Sequence, residues 1–457
     1  MKLWNHIKEH MLSYSMQKIC ENKAELTFEE VVIWAEKFAE NLRGLRCCAV
    51  LCSSEMAAAM SILSCFAAQV TAVPLSMRYG QAHCKKILDT IKPDAIIMDT
   101  GGELAVYKIT DSQYVPPMES PALIMCTSGT TGTPKGIMLS EKNILCNLTD
   151  IADYFAIGKN DTILISRPLY HCAVLTGEFL TALIKGSKIR FYSDSFNPAK
   201  ILELISKYEI TAFCGTPTLL SMMARFHHGT KTQSLKHICI SGECMSREVG
   251  TKIHEAFSSC NIYHVYGLTE ASPRVCYLPP RYFREYSDCV GIPLNSVCVK
   301  IVDKEGNACF QNQEGVLWVK GDNVMLGYYR DKEKSNQVLK DGWLCTGDIA
   351  LMNDSGFLKI KGRTDDLIIK AGMNIYPAEI EATLKQNHRV KEVFVYGFTN
   401  RFGTHIGLKI AGNFSTIEEV KHLCTDLLPS FQIPSIIEIV DELPKNSSGK
   451  IIRRRTA

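Results

Sequence analysis

Thr127-Ser128-Gly129-Thr130-Thr131-Gly132-Thr133-Pro134-Lys135-Gly136 is the stretch on which the reading of this chain turns. It follows a short apolar run, Ala122 to Cys126, that reads as a strand. Hydroxyls, glycines and a lysine in a tight loop suit a polyphosphate. The glycines let backbone N–H groups approach the oxygens, the hydroxyls donate, and the lysine supplies charge. No Gly-Lys-Ser/Thr follows four residues after a glycine, which counts against a kinase or a GTPase-type switch. Taken by itself, the decapeptide also reads as a plain surface loop between a strand and a helix.

Working outward, the flanking sequence alternates helices with short apolar strands. From Phe28 to Leu42 apolar residues recur at helical spacing, and Cys48 to Cys52 and Ala95 to Met98 read as strands. The stretch Asp99 to Ser120 loses periodicity and reads as a connector. Further strands are expected at Ile163 to Ser166, Lys188 to Tyr192, Ala212 to Cys214 and His237 to Ile240, with helices such as Ala199 to Tyr208 between them. This pattern predicts an α/β domain with largely parallel strands. After Gly291 strands and turns crowd together (Val297 to Asp303, Gly315 to Lys320, Phe357 to Lys361), which predicts a β-rich subdomain. Past Arg363 a third pattern begins, with a helix from Pro377 to Leu384 and strands at Val393 to Gly397 and Ile436 to Val440. The expected organisation is a large N-terminal domain, 1–364, of stacked α/β subdomains plus the β-rich part. A small, mobile α+β C-terminal domain, 365–457, follows it.

The chain has 457 residues, which favours more than one core, and a formal net charge of +3, nearly neutral for its length. No nucleic-acid partner is expected from such a balance. Nineteen cysteines contain no C-x-x-C pair, and many sit in apolar runs, where a free thiol acts as a small core residue. A reducing, cytoplasmic setting is the expectation. Met1 to Tyr14 has no continuous apolar run, so no secretory signal is expected. The longest apolar stretch, Met56 to Leu75, contains Ser61, Ser64, Gln69 and Thr71 and reads as a helix packed on a sheet followed by a strand, not as a membrane anchor.

The decapeptide resembles the phosphate loop of the adenylate-forming superfamily: acyl- and aryl-CoA ligases, peptide-synthetase adenylation domains and luciferases. Further motifs of that family follow in order. Tyr266-Gly267-Leu268-Thr269-Glu270 is similar to its aromatic-Gly-x-Thr-Glu segment, which implies Tyr266 stacked on adenine, Thr269 on the α-phosphate and Glu270 on Mg²⁺. Gly342-Trp343-Leu344-Cys345-Thr346-Gly347-Asp348 resembles the segment whose aspartate holds both ribose hydroxyls. Gly362-Arg363-Thr364-Asp365-Asp366 resembles the next, implying a ribose contact for Arg363 and a hinge at Asp365. Lys370 to Glu381 is similar to the loop and helix that enter for thioester formation, with Gly372 lining the thiol tunnel. Leu443-Pro444-Lys445-Asn446-Ser447-Ser448-Gly449-Lys450 resembles the catalytic-lysine motif. There Lys450 would steady the attacking carboxylate and the α-phosphate as charge builds. Thr127, Ser128, Gly129, Thr130, Thr131, Gly132 and Lys135 then form the phosphate cradle.

The acid pocket is less sharply drawn. Leu169-Tyr170-His171-Cys172 falls where acyl- and aryl-CoA ligases carry an aromatic-histidine segment, so His171 is expected to gate or line the pocket. Cys172 stands where domains for α-amino acids have an aspartate, and an uncompensated ammonium there would be costly. Phe213, Cys214, Gly215, Ala271 and Ser272 complete the expected wall, and Gly242 and Glu243 are expected beside the adenine. Arg274 is the one obvious cation for a dicarboxylate. Three departures from the family pattern stand out. His264 occupies the place of an adenine-reading amide, the N-terminal half is short, and no acidic residue follows Gly403.

The resemblance thus implies a ligase using ATP, Mg²⁺ and CoA to convert an aryl or acyl acid to an acyl adenylate and then a thioester. The protein would be a monomer or homodimer. Two alternatives stay open: a stand-alone enzyme loading the phosphopantetheine of an acyl or peptidyl carrier protein, and a non-catalytic adenine-nucleotide sensor. A luciferase-type oxygenase has no support beyond the shared superfamily.

Overall fold

The short apolar runs become the centres of two sheets in the computed structural model, which describes residues 2–77, 80–100, 103–128, 134–192, 197–226, 232–370, 373–400, 403–445 and 451. In a seven-stranded sheet, Cys47–Val50, Thr71–Pro74, Ala95–Thr100 and Leu123–Ser128 run parallel, with antiparallel strands towards both edges. In a nine-stranded sheet the parallel strands are Lys18–Glu21, Lys188–Phe191, Thr162–Ile165, Ala212–Gly215, His237–Ile240 and Asn261–Gly267. Strands covered on both faces read as nearly continuous apolar runs. Cys47–Val50 and His237–Ile240 are buried at every position.

The stretch Met56 to Leu75 resolves into helix Glu55–Ala68 and strand Thr71–Pro74. Ser54 caps the helix by accepting from the Ala57 N–H at 3.1 Å. Ser61 and Ser64 donate back to the carbonyls of Ala57 and Met60, each at 2.8 Å. Those bonds bury the hydroxyls without orphaning a donor. Among the described residues no helix is long and apolar enough to cross a membrane.

Beyond Gly291 the strands Val297–Val302, Gly315–Gly321, Trp343–Met352 and Leu358–Arg363 pair antiparallel in a separate sheet. The segment from Ile368 onward has a core of its own. Ile375, Ile380, Val393, Leu408, Ile410 and Val420 are buried together, under helices Pro377–Leu384 and Ile417–Leu427. It touches the preceding sheet through polar contacts: Tyr376 Oη donates to Glu314 at 2.5 Å, and Lys361 pairs with Glu379.

Two expectations need correction. The connector Asp99 to Ser120 contains a strand, Glu103–Lys108, paired antiparallel with Ala95–Thr100. It lies at the sheet edge with none of its residues buried, so it carries no continuous apolar run to betray it. The phosphate loop does not lead directly into a helix. It joins two antiparallel strands, Leu123–Ser128 and Pro134–Leu139, with Thr127 opposite Lys135.

Candidate active site

Two buried asparagines fix the backbone on which much of the site is carried. Asn147, on helix Glu141–Tyr154, donates to the Arg274 carbonyl at 2.8 Å and accepts from the Arg274 N–H at 3.0 Å. Asn323 donates to the carbonyls of Ala271 and Arg274, each at 3.0 Å. The loop after Tyr266–Glu270 is therefore tied to a helix and to a neighbouring turn by side-chain amides, through buried bonds that resist displacement. Gly267 belongs to the same construction. A Cβ there would stand 1.9 Å from the Pro273 carbonyl oxygen, and that carbonyl accepts from the Leu268 N–H at 2.9 Å.

At the phosphate end, Lys135 extends over the ring of Tyr328, its Nζ 5.5 Å from the centroid. Tyr328 in turn donates to Glu270 Oε1 at 3.0 Å. Burial and the neighbouring Lys334 push the Lys135 ammonium below its ordinary pKa, while Glu270 and Asp365 pull the other way. Two lysines held close together repel each other, and a polyphosphate would relieve that repulsion. Thr127 flanks Lys135, half-buried, across the hairpin, and Thr269 opens the short turn Thr269–Ala271 that carries Glu270.

A second constellation lies on the β-rich sheet. Asp348 and Arg363 are paired across adjacent strands, and Arg363 Nε meets Asp348 Oδ1 at 2.8 Å. The Tyr266 hydroxyl donates to Asp348 Oδ2. Burial, then the Asp348 carboxylate, pushes the Tyr266 phenol well above its ordinary pKa, so it stays a donor. Asp348 is 4% exposed and Arg363 is exposed. A shielded carboxylate beside an accessible guanidinium suits vicinal hydroxyls.

The pocket candidates separate. Cys172, Cys214 and Ala271 lie in one buried cluster, and Ser272 is fully buried beside Ala271 in the chain. Phe213 belongs instead to the core with Leu219, Leu220 and Ile238, because adjacent strand residues face opposite sides of the sheet. The expected wall therefore loses Phe213. Gly215 ends that strand, where a Cβ would come within 3.2 Å of the Phe213 ring. His171 is half-buried, its ring 4.2 Å from that of Tyr170. Burial pushes the Cys172 thiol up to about 12, so it is neutral.

Gly242 turns the chain after strand His237–Ile240. Glu243 accepts from the Thr218 hydroxyl at 2.6 Å and the Thr218 N–H at 3.2 Å, tethering the start of helix Pro217–Phe226. His264 is 2% exposed and its Nδ1 lies 2.9 Å from the Ser287 carbonyl. It is a satisfied core histidine, with burial lowering its pKa to about 4. Gly129, Thr130, Thr131, Gly132, Gly372 and Lys450 lie outside the described residues, as does the side chain of Ser128. Tyr328 and Lys334 were not singled out from the sequence. The dipeptide Tyr328-Tyr329 after Gly327 offers a faint signal for the first, and an ordinary helix lysine offers none for the second.

Among the described residues no group of three or more His, Cys, Asp or Glu side chains forms a metal cage. One carboxylate, Glu270, oriented by a phenol beside two lysines, fits Mg²⁺ held mainly by substrate phosphates.

Two α/β sheets, a pair of antiparallel strands flanking residues 129–133 and a separate small core make up the architecture. Residues 9–329 match the AMP-binding enzyme family and residues 379–450 match the AMP-binding enzyme C-terminal domain, so the chain belongs to the AMP-binding enzymes. It is 33% identical to a long-chain-fatty-acid–CoA ligase of Yersinia pestis over 372 residues, 79% of this chain and 65% of that protein. The match thus spans slightly less than two thirds of the fatty-acid ligase. A 2-succinylbenzoate–CoA ligase of Bacillus licheniformis is 30% identical over 462 residues, 94% of each chain. Among solved structures, o-succinylbenzoate CoA synthetase of Bacillus subtilis with its acyl-adenylate intermediate superimposes with a TM-score of 0.85. It is 26% identical, and the match covers 98% of this chain and 97% of that one. The same enzyme has been solved with ATP and magnesium ion, at 25% identity.

Proposed function

We propose that this chain is an AMP-forming acid–thiol ligase that adenylates a carboxylic acid with ATP and passes the acyl group to CoA. The observation that carries the reading is the pair of constellations just described. Lys135, Lys334 and Glu270 suit a magnesium polyphosphate, while Tyr266, Asp348 and Arg363 suit a nucleoside. The short chain from Tyr266 to Glu270 links one to the other.

In this mechanism Thr127, Ser128, Gly129, Thr130, Thr131, Gly132 and Lys135 hold the β- and γ-phosphates, and Thr269 bonds the α-phosphate. Glu270 would hold Mg²⁺, which would offset charge on the phosphate oxygens. Tyr266, with Gly242 and Glu243, borders the adenine, and Asp348 and Arg363 hold the ribose. The acid's carboxylate attacks the α-phosphorus, the bond to the bridging oxygen breaks, and pyrophosphate leaves. Lys450 steadies both oxyanions as they approach. Residues 365–457 then turn about Asp365 relative to 1–364, withdrawing Lys450 and bringing Gly372 to the site. The thiolate of CoA attacks the acyl carbon, and AMP leaves with the electron pair of the C–O bond.

The neutral Cys172 thiol offers no partner for an α-ammonium, which favours aryl or acyl acids over α-amino acids. All nineteen cysteines are free, in keeping with a reducing, cytoplasmic setting. Acid-dependent ATP–pyrophosphate exchange over a panel of aryl, fatty, small aliphatic and amino acids tests the proposal. Exchange with one class supports it, and comparing CoA with a holo-carrier protein then fixes the acceptor. Silence with ATP binding intact would favour the nucleotide-sensor alternative.

A further inference from the structure

The interior beside the acid pocket holds more charge than the protein neutralises. Arg274 is 2% exposed and among the largest fully buried side chains. Its backbone is clamped by Asn147 and Asn323 and its guanidinium bonds the Tyr154 phenol, but Nε and Nη2 have no hydrogen-bond partner. Among the described residues it makes no ion pair. The nearby buried carboxylate, Glu178, bonds Arg167 through Oε1 at 2.5 Å rather than Arg274, and its Oε2 has no hydrogen-bond partner. Two guanidinium groups and one carboxylate leave the cluster with one positive charge in excess.

The groups facing Arg274 do not supply the missing anion. They are the Tyr154 phenol and the thiols of Cys172, Cys214 and Cys239. Burial pushes Cys172 up to about 12 and raises Tyr154. Cys214 is held well above its ordinary value by its hydrogen bond with Cys239 and by burial. Cys239 is drawn down by that same bond, against burial, but a thiol is a weak acceptor for a fork of N–H donors. Arginine cannot shed its proton to escape such a place, and a buried charge without a partner is strongly destabilising.

The packing around the guanidinium is close. A Cβ at Gly177 would stand 2.9 Å from Arg274 Nη2, so glycine is what lets the guanidinium lie there. Two further buried hydroxyls, Ser241 Oγ and Ser272 Oγ, have no partner. Ser272 belongs to the expected wall of the acid pocket, and Ser241 precedes the Gly242 turn. Buried polar atoms left open in this way await a ligand or water.

We propose that Arg274 anchors a second anionic group on the acid, so that the substrate is a dicarboxylic acid activated at one end and held at the other. The inference rests on the adenylation reading above, because only that reading puts an acid between the Thr269–Ala271 turn and Cys172. It narrows the acid from any aryl or acyl compound to one carrying two carboxylates. It also supplies a second reason against α-amino acids, since a buried guanidinium repels an ammonium.

The test compares each diacid of a series, aliphatic from succinate to adipate plus phthalate and 2-succinylbenzoate, with its own monomethyl ester. The ester keeps the size and removes one charge. Wild-type protein is expected to prefer at least one diacid over its ester by about 100-fold or more in kcat/KM for pyrophosphate exchange, because the ester leaves a buried cation unpaired. Arg274→Met should bring that ratio close to one. It should also leave the apo protein as stable or more so, since an unpaired buried charge gives way to an apolar chain of similar length. Arg274→Lys, which keeps the charge but not the fork, should fall between. Calorimetric titration of the same compounds in the presence of α,β-methylene-ATP reads binding without turnover. Diacid binding lost in Arg274→Met but unaccompanied by exchange would overturn adenylation and leave the anchor standing. Equal treatment of diacid and ester by the wild type in both assays, or failure of every diacid to bind, would overturn the anchor. A large fall in stability in Arg274→Met with the diacid preference retained in Arg274→Lys at full strength would also overturn it, marking Arg274 as a packing residue.

Discussion

His264 gives the most direct test of how the strand that carries Tyr266 is packed. Its ring is buried on strand Asn261–Gly267, two residues before Tyr266, with Nδ1 facing the Ser287 carbonyl at 2.9 Å. A carbonyl only accepts, so the neutral ring must carry its proton on Nδ1. Burial lowers the pKa to about 4 against an ordinary value of 6.5. Between those values the unfolded chain binds a proton that the folded chain refuses. Stability from this residue is therefore complete above about pH 6.5, falls as pH drops through the window and levels off below about pH 4. At 1.36 kcal/mol per pH unit the full loss is about 3 kcal/mol, a sizeable share of the roughly 5–15 kcal/mol typical of a folded domain.

The perturbation is His264→Gln, an amide that can still donate to Ser287 and stays neutral at every pH. Urea unfolding from about pH 7.5 to about pH 4.5 suits both proteins. All four tryptophans, at 4, 34, 318 and 343, lie before residue 365, so fluorescence reports the large part of the chain. The wild type should lose about 2–3 kcal/mol more than the variant over that range, with the difference appearing only below about pH 6.5. Parallel pH profiles would refute the argument, because an accessible imidazole would protonate equally in both states. A wild type that gained on the variant as pH fell would show that the ring is charged in the fold.

Removing Asp348 as alanine deprives Tyr266 and Arg363 of their shared acceptor. ATP affinity should weaken about 10- to 100-fold, from the roughly 1.5–3 kcal/mol of a charge-assisted bond, with little change in the response to acid; unchanged ATP titration would remove it from the ribose site. Tyr328→Phe leaves Glu270 without its orienting phenol. The Mg²⁺ concentration for half-maximal exchange should rise about tenfold, and an unaltered Mg²⁺ curve would argue that Glu270 does not meet the metal. Lys135 is held below its ordinary pKa by burial and Lys334. The alkaline fall in kcat/KM for ATP should therefore come earlier than a free lysine allows, and Lys334→Met should move it later; an unmoved limb would separate the two lysines. Lys450→Ala should cripple adenylation more than thioester formation from supplied acyl adenylate, and equal loss of both steps would sink its assigned role.

Much of the architecture was legible because parallel strands announce themselves as apolar runs. His237–Ile240 and helix Pro377–Leu384 fall where the sequence alone puts them. The edge strand Glu103–Lys108 was not legible, since none of its residues is buried and no pattern of burial marks it. At the site, motif order located Tyr266, Glu270, Asp348 and Arg363, residues that lie far apart in the chain and meet in space as two groups. Tyr328 and Lys334 escaped because a tyrosine or a lysine gains meaning there only from what it faces. Phe213 shows a related limit, since it lies in a different buried cluster from Cys214. The run Ala212–Gly215 is buried throughout, so composition does not say which residue faces which layer.

Three buried ionisable side chains near the site show three ways of meeting the same physical demand, and the comparison sharpens the case for Arg274. His264 meets it by staying neutral, which an imidazole can do at the expense of acid stability. Glu178 meets it by pairing, with Arg167 at 2.5 Å. Arg274 has neither route, because a guanidinium does not lose its proton and Glu178 forms its ion pair with Arg167. A core residue in that position would be replaced to advantage by methionine or leucine, since buried ion groups are often neutral or worse for stability than apolar substitutes. The protein instead holds Arg274 with two asparagines and opens space for it with Gly177. That investment makes sense if the missing charge arrives with the substrate. The apo protein would then carry a local instability that the correct acid relieves, and binding of a diacid should raise the melting temperature of the wild type while leaving Arg274→Met unmoved. A monoacid of equal length should not reproduce the rise. If it did, the cation would be paired from within the protein and the preference for two carboxylates would have no physical basis.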